Sequence, residues 1–495
     1  MFACHHRAPS VSHGRRALLE AAGRTGQVAA AMHAVGSGAA LLALGGALAP
    51  RARAAPAQEL LAQPAEIRSR NGVLEATLTA AAQPVQVGEY SFPGSVYNGA
   101  YLPPLLRPRL GDVMRIRFRN SLPDDPSNLH YHGLSVSPKG SGDNVFVHVE
   151  PGQQFEYEVR IPATGRQGPG LFWYHPHAHG VVAKQMLGGM SGGLVVEGMD
   201  RLYPMLRGLP ERFFLIKHAQ VGRPEDIVSV NGQINPVVQI RPGAMQFWRV
   251  ANIGATLFIK FRVEGMPLYV VATDGHPLSR PRRMTEFFVG PGQRIDAIAV
   301  GPKPGEYAMA TIPFRNEAWR EPDPSQRLAT VVSSGSALSS ADLEDRILRQ
   351  RLEGARWIDE VRSAFVARRR TFDYTKSPDR RMFMINGRVM DENRVDETVR
   401  LGDTEEWTVI NRDQQYHSFH IHQTAFLVTE VNDDRPDEDG LRDTYSVPPA
   451  TEQGPGVLKV VIPFTDPVMV GRFVFHCHAV DHEDKGMMGV VEVVG

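Results

Sequence analysis

Four pairs of histidines, each pair separated by a single residue, are the feature of this sequence with the most obvious chemistry. Successive side chains of a β-strand point to opposite faces, so the two histidines of a pair share one face, with Cα atoms roughly 6.6 Å apart. Eight imidazoles exceed what one mononuclear centre can hold, and they suit copper, zinc or iron better than magnesium or calcium. The spacing therefore predicts a cluster of metal ions. The pairs are His130 and His132, His175 and His177, His420 and His422, and His476 and His478.

A lone cysteine, Cys477, lies between the two histidines of the last pair. Strand alternation sends its side chain to the face opposite theirs. A further histidine at an odd offset from His420 can face the same way, and another histidine and two methionines follow the cysteine closely. Two imidazoles, a thiolate and a thioether are the ligands of a blue-copper electron-transfer site. The predicted set is His417, Cys477, His482 and Met487, with Met488 as an alternative axial ligand on spacing alone.

Parts of this pattern have other interpretations. A His-Cys-His run can belong to a structural zinc site, but such sites commonly use several cysteines. A cysteine with a histidine can also form the nucleophile of a protease. Both interpretations leave most of the histidines without a role, whereas an electron-transfer site beside a metal cluster uses all of them. The backbone of Cys477 would then connect the two centres.

An internal repeat supplies the strands that must position these residues. Three times, an Asn-Gly turn is followed by a strand between a glycine and an asparagine, and later by a Pro-Gly turn and more alternating strands. Short alternating strands with Gly and Pro turns favour an all-β Greek-key sandwich or barrel, here formed three times. The matched landmarks are Asn98-Gly99, Asn231-Gly232 and Asn386-Gly387 for the turns, and Gly111 to Asn120, Gly243 to Asn252 and Gly402 to Asn411 for the strands.

The histidine motifs fall in the first and third copies of the repeat. The second copy has Ala310, Thr311 and Ile312 where the others have histidines. We therefore expect a metal site between the first and third copies, with the second as a spacer. A segment before the third copy has a capping serine, early acids and later arginines, which predict a helix. The predicted divisions are domain 1 at 60–200, domain 2 at 201–335, a linker with a helix at 336–375, and domain 3 at 376–495.

The N-terminal residues have the pattern of an export signal. Arg15 and Arg16 precede an apolar segment at 34–49 and an Ala-Arg-Ala cleavage sequence at 52–54, an order that resembles a twin-arginine signal. We expect residues 1–54 to direct the protein to the periplasm or the exterior of the cell. The formal net charge of the 495 residues is zero, which argues against a nucleic-acid partner. No apolar run of the sequence is long enough for a permanent membrane span.

Four segments resemble the copper motifs of three-domain multicopper oxidases, a family that includes laccases, bilirubin oxidases and cuprous oxidases. They are HYHG (130–133), WYHPH (173–177), HSFHIH (417–422) and HCHAVDHEDKGM (476–487). The resemblance implies three cupredoxin-like domains, four copper ions, and reduction of dioxygen to water with electrons taken singly from a substrate. It implies a type 1 copper bound by His417, Cys477, His482 and Met487, a type 2 copper bound by His130 and His420, and a type 3 pair bound by His132, His175, His177, His422, His476 and His478.

Reduction of dioxygen consumes protons, so carboxylates are expected near the cluster. Asp143 and Glu483 match positions at which members of the family place such acids. Residues 423–475 contain no methionine-rich insert of the kind that binds Cu(I) in cuprous oxidases. We therefore expect a laccase-like oxidase of phenols and aromatic amines, with dioxygen and a small reductant as partners and no obligate protein partner. The alternatives are a metallo-oxidase acting on Cu(I) and a copper-free structural protein of the cell envelope.

Overall fold

The structure is a computed structural model that describes residues 59–219, 226–317, 321–351, 355–436 and 440–495. The predicted export signal at 1–54 lies outside the described residues. The described chain forms six sheets connected by loops and short helices, so the predicted all-β class is confirmed. None of the helices in this part of the chain is long and apolar enough to cross a membrane.

Two sheets are built from the first copy of the repeat. Their strands are β1 (Glu66–Arg68), β2 (Val73–Val87), β3 (Tyr90–Tyr97), β4 (Leu105–Arg107), β5 (Val113–Ser121), β6 (His130–His132), β7 (Gln154–Arg160), β8 (Gly170–His175) and β9 (Gly192–Val196). The strand orders are β1-β4-β9-β8-β6 and β3-β2-β5-β7. In β5 the alternation read from the sequence is real, since Met114, Ile116 and Phe118 are fully buried between exposed arginines. These apolar side chains fill the space between the two sheets.

A second pair of sheets follows. Its strands are β10 (Glu211–Ala219), β11 (Ile227–Val230), β12 (Val237–Ile240), β13 (Met245–Asn252), β14 (Ile259–Val263), β15 (Leu268–Thr273), β16 (His276–Met284), β17 (Phe287–Val289), β18 (Arg294–Val300), β19 (Gly305–Thr311) and β20 (Arg327–Ser333). The strand orders are β11-β10-β13-β18-β15-β16 and β12-β20-β19-β14-β17. Trp248 and Phe261 lie in the apolar cluster between them.

The third pair of sheets completes the described chain. Its strands are β21 (Val366–Lys376), β22 (Phe383–Ile385), β23 (Glu397–Arg400), β24 (Thr404–Asn411), β25 (His417–Ile421), β26 (Leu427–Val431), β27 (Thr444–Val447), β28 (Gly456–Pro463), β29 (Gly471–Cys477) and β30 (Met488–Val494). The strand orders are β22-β21-β24-β28-β26 and β23-β30-β29-β25-β27. The described helices are α1 (Val182–Leu187), α2 (Met199–Leu202), α3 (Leu343–Leu348), α4 (Ala355–Ser363) and α5 (Val480–Asp484), with 3-10 turns at Pro204–Leu206 and Pro467–Met469.

Strand β21 occupies the end of the segment 336–375 that the sequence assigned to a linker, while α3 and α4 lie in its earlier part. The strand pairs in parallel with β24, a contact between distant residues that local pattern does not reveal. Two of its three consecutive arginines form ion pairs with the neighbouring strand, because Arg369 Nε lies 3.0 Å from Glu406 Oε1 and Arg370 Nε lies 2.6 Å from Glu405 Oε2. This basic run is therefore part of a sheet.

The three copies use the same asparagine contacts, which explains why the landmarks recur. At each Asn-Gly turn both residues have positive φ, the backbone of a type I′ hairpin turn. A buried asparagine then lies at the end of the matched strand, and its side-chain amide donates to two backbone carbonyl oxygens. The pairs of acceptors are Asp125 and Val149 for Asn120, Leu257 and Val289 for Asn252, and Gln415 and Pro448 for Asn411.

Candidate metal centre

The histidine pairs lie on two strands of the first sheet pair and two of the third, or directly beyond the ends of these strands. Strands β6 and β8 are antiparallel, with His130 opposite His175. Strands β25 and β29 are antiparallel, with His420 opposite His476. The structure brings all eight histidines of the predicted cluster together, each no more than 2% exposed. They are His130, His132, His175, His177, His420, His422, His476 and His478.

The imidazole nitrogens of the cluster face one another. Nε2 of His476 lies 3.2 Å from Nε2 of both His177 and His422, and Nε2 of His478 lies 3.1 Å from Nδ1 of His132. Nε2 atoms of other rings in the cluster are buried without a hydrogen-bond partner. Three sets of rings have nitrogens within 4.8 Å of one another, so the cluster has room for more than one ion. The sets are His130, His420 and His422; His130, His132 and His175; and His177, His422 and His476.

Burial favours the neutral form of imidazoles in this cluster, as His130 and His175 show. Burial lowers the pKa of His130 well below its usual value, and neighbouring histidines lower it further. Burial likewise lowers the pKa of His175 to about 3. A neutral imidazole has a free lone pair and can bind a metal ion. Buried nitrogens without partners, converging lone pairs and an imidazole donor set all fit copper.

A second group of donors lies on the other face of β29. Sγ of Cys477 lies 3.3 Å from Nδ1 of His417 and 3.5 Å from Nδ1 of His482, and these two nitrogens are 3.1 Å apart. The backbone N–H of Ser418 donates to the same sulfur at 3.4 Å. Burial raises the pKa of Cys477 to about 12. A bound metal ion would therefore be needed to keep this thiol as a thiolate at neutral pH.

The two adjacent methionines face different surroundings. Met487 is fully buried in the same apolar cluster as Cys477, and its carbonyl oxygen accepts the N–H of Cys477 at 3.0 Å. Met488 pairs with His476 across β29 and β30 and packs with Val145 and Val490 in another cluster. The structure thus places Met487, and not Met488, on the thiol side of the strand.

Both predicted carboxylates contact imidazoles of the cluster from outside. Asp143 Oδ2 lies 3.0 Å from Nδ1 of His130 and accepts a hydrogen bond from Gln423 at 2.9 Å. Glu483 Oε2 lies 3.0 Å from Nδ1 of His476, and its Oε1 lies 3.6 Å from Nδ1 of His177. Both carboxylates are buried, with no more than 1% of each residue exposed. Each is next to the cluster yet on the side of its imidazole that faces away from the other rings.

Several residues that contact these groups escaped the sequence analysis. Asp443 and Thr444 contact two imidazoles of the cluster, and Arg294 of the second sheet pair binds Asp443. Phe383 stacks on His482, with ring centroids 4.0 Å apart. None of them repeats at a spacing that the sequence could expose. Gln423 had a weak signal, because it directly follows the HSFHIH motif.

Comparison with known proteins shows the family to which this chain belongs. Three family models described as multicopper oxidase match residues 173–336, 81–201 and 366–494. The chain therefore belongs to the multicopper oxidase family, as the motifs implied, and the family together with the buried histidine groups implies copper. Its fold and family are those of an oxidoreductase, and its sheets are cupredoxin-like.

Particular relatives differ in what their names describe. Multicopper oxidase mco of Staphylococcus haemolyticus is 26% identical over 450 residues, which cover 86% of this chain and 90% of the relative. Cell division protein FtsP of Dickeya dadantii is 26% identical over 488 residues, which cover 91% of this chain and 95% of the relative. The solved multicopper oxidase of Campylobacter jejuni, described as a metallo-oxidase, superposes with a TM-score of 0.72 at 23% identity, over 89% of this chain and 98% of that one.

Proposed function

We propose that this protein is a copper-dependent oxidase that takes single electrons from a small reductant and reduces dioxygen to water with four of them. The observation that carries the proposal is the position of Cys477. Its sulfur lies 3.3 Å from Nδ1 of His417 and 3.5 Å from Nδ1 of His482, while the residues on either side of it in the chain, His476 and His478, belong to the imidazole cluster. One short stretch of backbone therefore connects the two groups of donors.

The proposed ligands follow the motif resemblance and agree with the contacts described above. Copper, when bound, supplies the one-electron redox chemistry and the binding of dioxygen that side chains alone lack. The donor side chains are buried away from water, and β29 separates the thiol from the imidazoles on its opposite face. We assign four ions: type 1 to His417, Cys477, His482 and Met487, type 2 to His130 and His420, and the type 3 pair to His132, His175, His177, His422, His476 and His478.

Asp143 and Glu483 are proposed to hold the protons that water formation requires. The proposal rests on position, since each carboxylate is buried and lies 3.0 Å from the outer nitrogen of an imidazole of the cluster. Gln423 donates to Asp143 and fixes its orientation. A buried carboxylate next to a reaction site can pass a proton inward while water remains excluded.

We propose phenols and aromatic amines as the reductants. Tyr416, next to His417 in the chain, packs with Phe258, Phe288 and Phe314, and Phe288 is 36% exposed. These rings form an accessible aromatic surface beside the proposed type 1 site, and stacked or edge-on ring contacts favour aromatic ligands. Outer-sphere oxidation needs only an approach to His482, which is 8% exposed.

Oxidation of Cu(I) is a second candidate, favoured by an exposed thioether. Met382 is 38% exposed and precedes Phe383, the residue that stacks on His482. Thioethers bind Cu(I) well, and the Campylobacter jejuni neighbour is described as a metallo-oxidase.

Oxygen uptake by copper-loaded protein, with a phenol and with Cu(I) compared side by side, distinguishes these substrates. Phenol-driven uptake that survives Met382→Leu supports the first proposal. Cu(I)-driven uptake that falls in Met382→Leu supports the second, provided that it does not fall in Met284→Leu, which changes an equally exposed methionine of the second sheet pair.

The similarity to cell division protein FtsP keeps a copper-free structural role as the remaining alternative. Copper analysis of the purified protein separates the two, because a protein that takes up no copper and shows no thiolate-to-copper visible band cannot be the proposed oxidase. We further propose export to the periplasm or exterior, on the strength of the Arg15-Arg16 leader pattern. Cell fractionation of an Arg15→Lys/Arg16→Lys variant tests this, with retention in the cytoplasm as the expected result.

A further inference from the structure

The second sheet pair supplies none of the imidazoles in the described cluster, yet it reaches the cluster through Arg294, the first residue of β18. The side chain is fully buried. Its Nη1 donates to Oδ1 of Asp443 at 2.7 Å and its Nη2 donates to Oδ2 at 2.6 Å, which is a bidentate pair. The remaining N–H groups donate to backbone carbonyl oxygens of Leu171, Gly292 and Asp274. All five N–H donors of the guanidinium are therefore used, and its orientation is fixed.

The carboxylate held in this way contacts an imidazole directly. Oδ1 of Asp443 lies 3.0 Å from Nε2 of His132 and accepts the hydroxyl hydrogen of Thr444 at 2.7 Å. The backbone carbonyl oxygen of the same aspartate lies 2.8 Å from Nδ1 of His420. One residue of the third sheet pair thus touches an imidazole of the first sheet pair and an imidazole of its own.

Thr444 completes the arrangement. Its Oγ1 lies 3.0 Å from Nε2 of His132 and 3.1 Å from Nδ1 of His420. A hydroxyl has one hydrogen and two lone pairs. Because the hydrogen is given to Asp443, both lone pairs are available to accept N–H groups from the two imidazoles. Since Asp443 also presents an acceptor oxygen to each of these nitrogens, each imidazole carries its hydrogen on the nitrogen that faces Thr444 and Asp443.

The opposite nitrogens are then the ones that hold lone pairs. These are Nδ1 of His132, which faces the cluster at 3.1 Å from His478, and Nε2 of His420, which is buried without a partner. The two rings lie nearly parallel, with centroids 3.9 Å apart and planes inclined by 9°. Both are thus fixed in tautomer and in plane by the same two residues.

Gly133 of the HYHG motif, in the first sheet pair, packs against the ion pair of Arg294 and Asp443. Its φ is +86°, and a Cβ atom there would lie 2.5 Å from both Nη2 of Arg294 and Oδ2 of Asp443. Any side chain at position 133 would displace the ion pair. Residues from all three sheet pairs therefore meet at this point.

We propose that Asp443 and Thr444, anchored by Arg294, are positioning residues that set the tautomer and ring plane of His132 and His420. The inference rests on the proposed function, in which these imidazoles bind a type 3 and the type 2 copper. The second sheet pair then sets the geometry of the cluster instead of serving only as a spacer.

Thr444→Val in the copper-loaded full chain tests this inference, with copper content, the type 2 electron paramagnetic resonance signal and the type 1 visible band as readouts. Valine keeps the volume but removes the hydroxyl. We expect the type 1 band to persist, which also reports correct folding. The type 2 signal should shift because each imidazole then keeps only its contact with Asp443, and Thr444→Ser should restore the wild-type signal.

Ser446→Ala is the matched control. Ser446 is a buried hydroxyl on the same strand, and its Oγ bonds to Gln293 without contacting an imidazole of the cluster. This variant should keep every signal of the wild type. Arg294→Lys retains the positive charge but cannot form the bidentate pair with Asp443. Although Arg294 belongs to the second sheet pair, this substitution should also change the type 2 signal.

Three results would overturn the inference. An unchanged type 2 signal in Thr444→Val would show that the hydroxyl positions nothing. Equal losses of the type 1 and type 2 signals would indicate general structural damage rather than positioning. Wild-type protein that takes up no copper would refute the proposed function itself, whereas the first two results leave that function standing.

Discussion

Sγ of Cys477 lies 3.3 Å from Nδ1 of His417, on the face of β29 opposite the imidazoles that flank the cysteine. His417 belongs to β25, the strand that pairs with β29. Phe419 of β25 lies opposite Cys477, and His417, two residues earlier, is on the same face as Phe419. Two adjacent strands thus carry donors for both groups, one on each face. A change to the thiol should therefore block electron transfer between the two groups of donors, while the imidazole cluster should still bind copper.

The first prediction concerns this thiol. Cys477→Ser removes the thiolate, so we expect loss of the visible thiolate-to-copper band and a fall in substrate-driven oxygen uptake of at least about a hundredfold, which corresponds to about 2.7 kcal/mol. The imidazole cluster should still take up copper. Visible spectra, copper analysis and an oxygen electrode provide the measurements. Substantial remaining uptake would mean that electrons enter by another route.

The second prediction concerns the buried carboxylates. Asp143→Asn keeps the size and the contact with Gln423 but removes the ability to release a proton. We expect turnover with a phenol to fall by roughly a hundredfold, within the range for a lost acid or base, while the type 1 band stays as in the wild type. Glu430→Gln, at a partly exposed ion pair with Lys459, serves as the control. Equal turnover in Asp143→Asn and wild type would remove this residue from the proton route.

The third prediction uses the repeat as its own control. Asn411 donates to the carbonyl oxygens of Gln415 and Pro448, and Gln415 in turn lies 2.9 Å from Nε2 of His482. Asn252 makes the equivalent bonds in the second copy. Replacement of either by alanine should lower the free energy of unfolding by about 1–3 kcal/mol. Only Asn411→Ala should shift the type 1 band. An equal shift in Asn252→Ala would contradict the connection of Asn411, through Gln415, to His482 at the proposed type 1 site.

The fourth prediction concerns pH and a buried amine. Burial lowers the pKa of Lys217 to about 7 in the folded protein, and its Nζ donates to the carbonyl oxygens of Tyr101 and Gly189. The unfolded chain keeps the ordinary lysine pKa of about 10.4 and so binds more protons than the folded chain between these values. This residue should therefore make the free energy of unfolding rise with pH from about 7 to about 10.4.

Chemical unfolding at several pH values checks the sign. The difference in the free energy of unfolding between wild type and Lys217→Met isolates this residue from the other titrating groups. We expect the free energy of unfolding of the wild type to rise relative to that of Lys217→Met as the pH increases from about 7 to about 10.4. A difference that is constant with pH would mean that the amine titrates normally.

Much of the candidate site could be predicted from the sequence because the rule behind it is local. Alternation along a strand was enough to place Cys477 opposite His476 and His478, and the repeat was enough to indicate which strands meet. The all-β class followed from the same regular turns and alternating strands. Strand β21 was missed, because its pairing with β24 depends on contacts between residues far apart in the chain.

The contacts of Arg294 and Asp443 were missed for a related reason. Each is an ordinary charged residue in its own segment, and only the packing of three sheet pairs brings them together with Thr444 and Gly133. The second copy lacks histidines at the positions that match the motifs of the other two copies, and this absence suggested a spacer. Side-chain reach across an interface has no periodic signature, so the sequence could not show that this copy touches the cluster.

The most direct test of the central claim is the visible band of copper-loaded protein through one cycle of reduction and reoxidation. The protein is reduced with a phenol under argon and is then mixed with oxygenated buffer. We expect the band to bleach under argon and to return on mixing with dioxygen, with about one dioxygen consumed per four electrons supplied. A band that bleaches but does not return with dioxygen would contradict the claim that Cys477 connects the reductant site to the imidazole cluster.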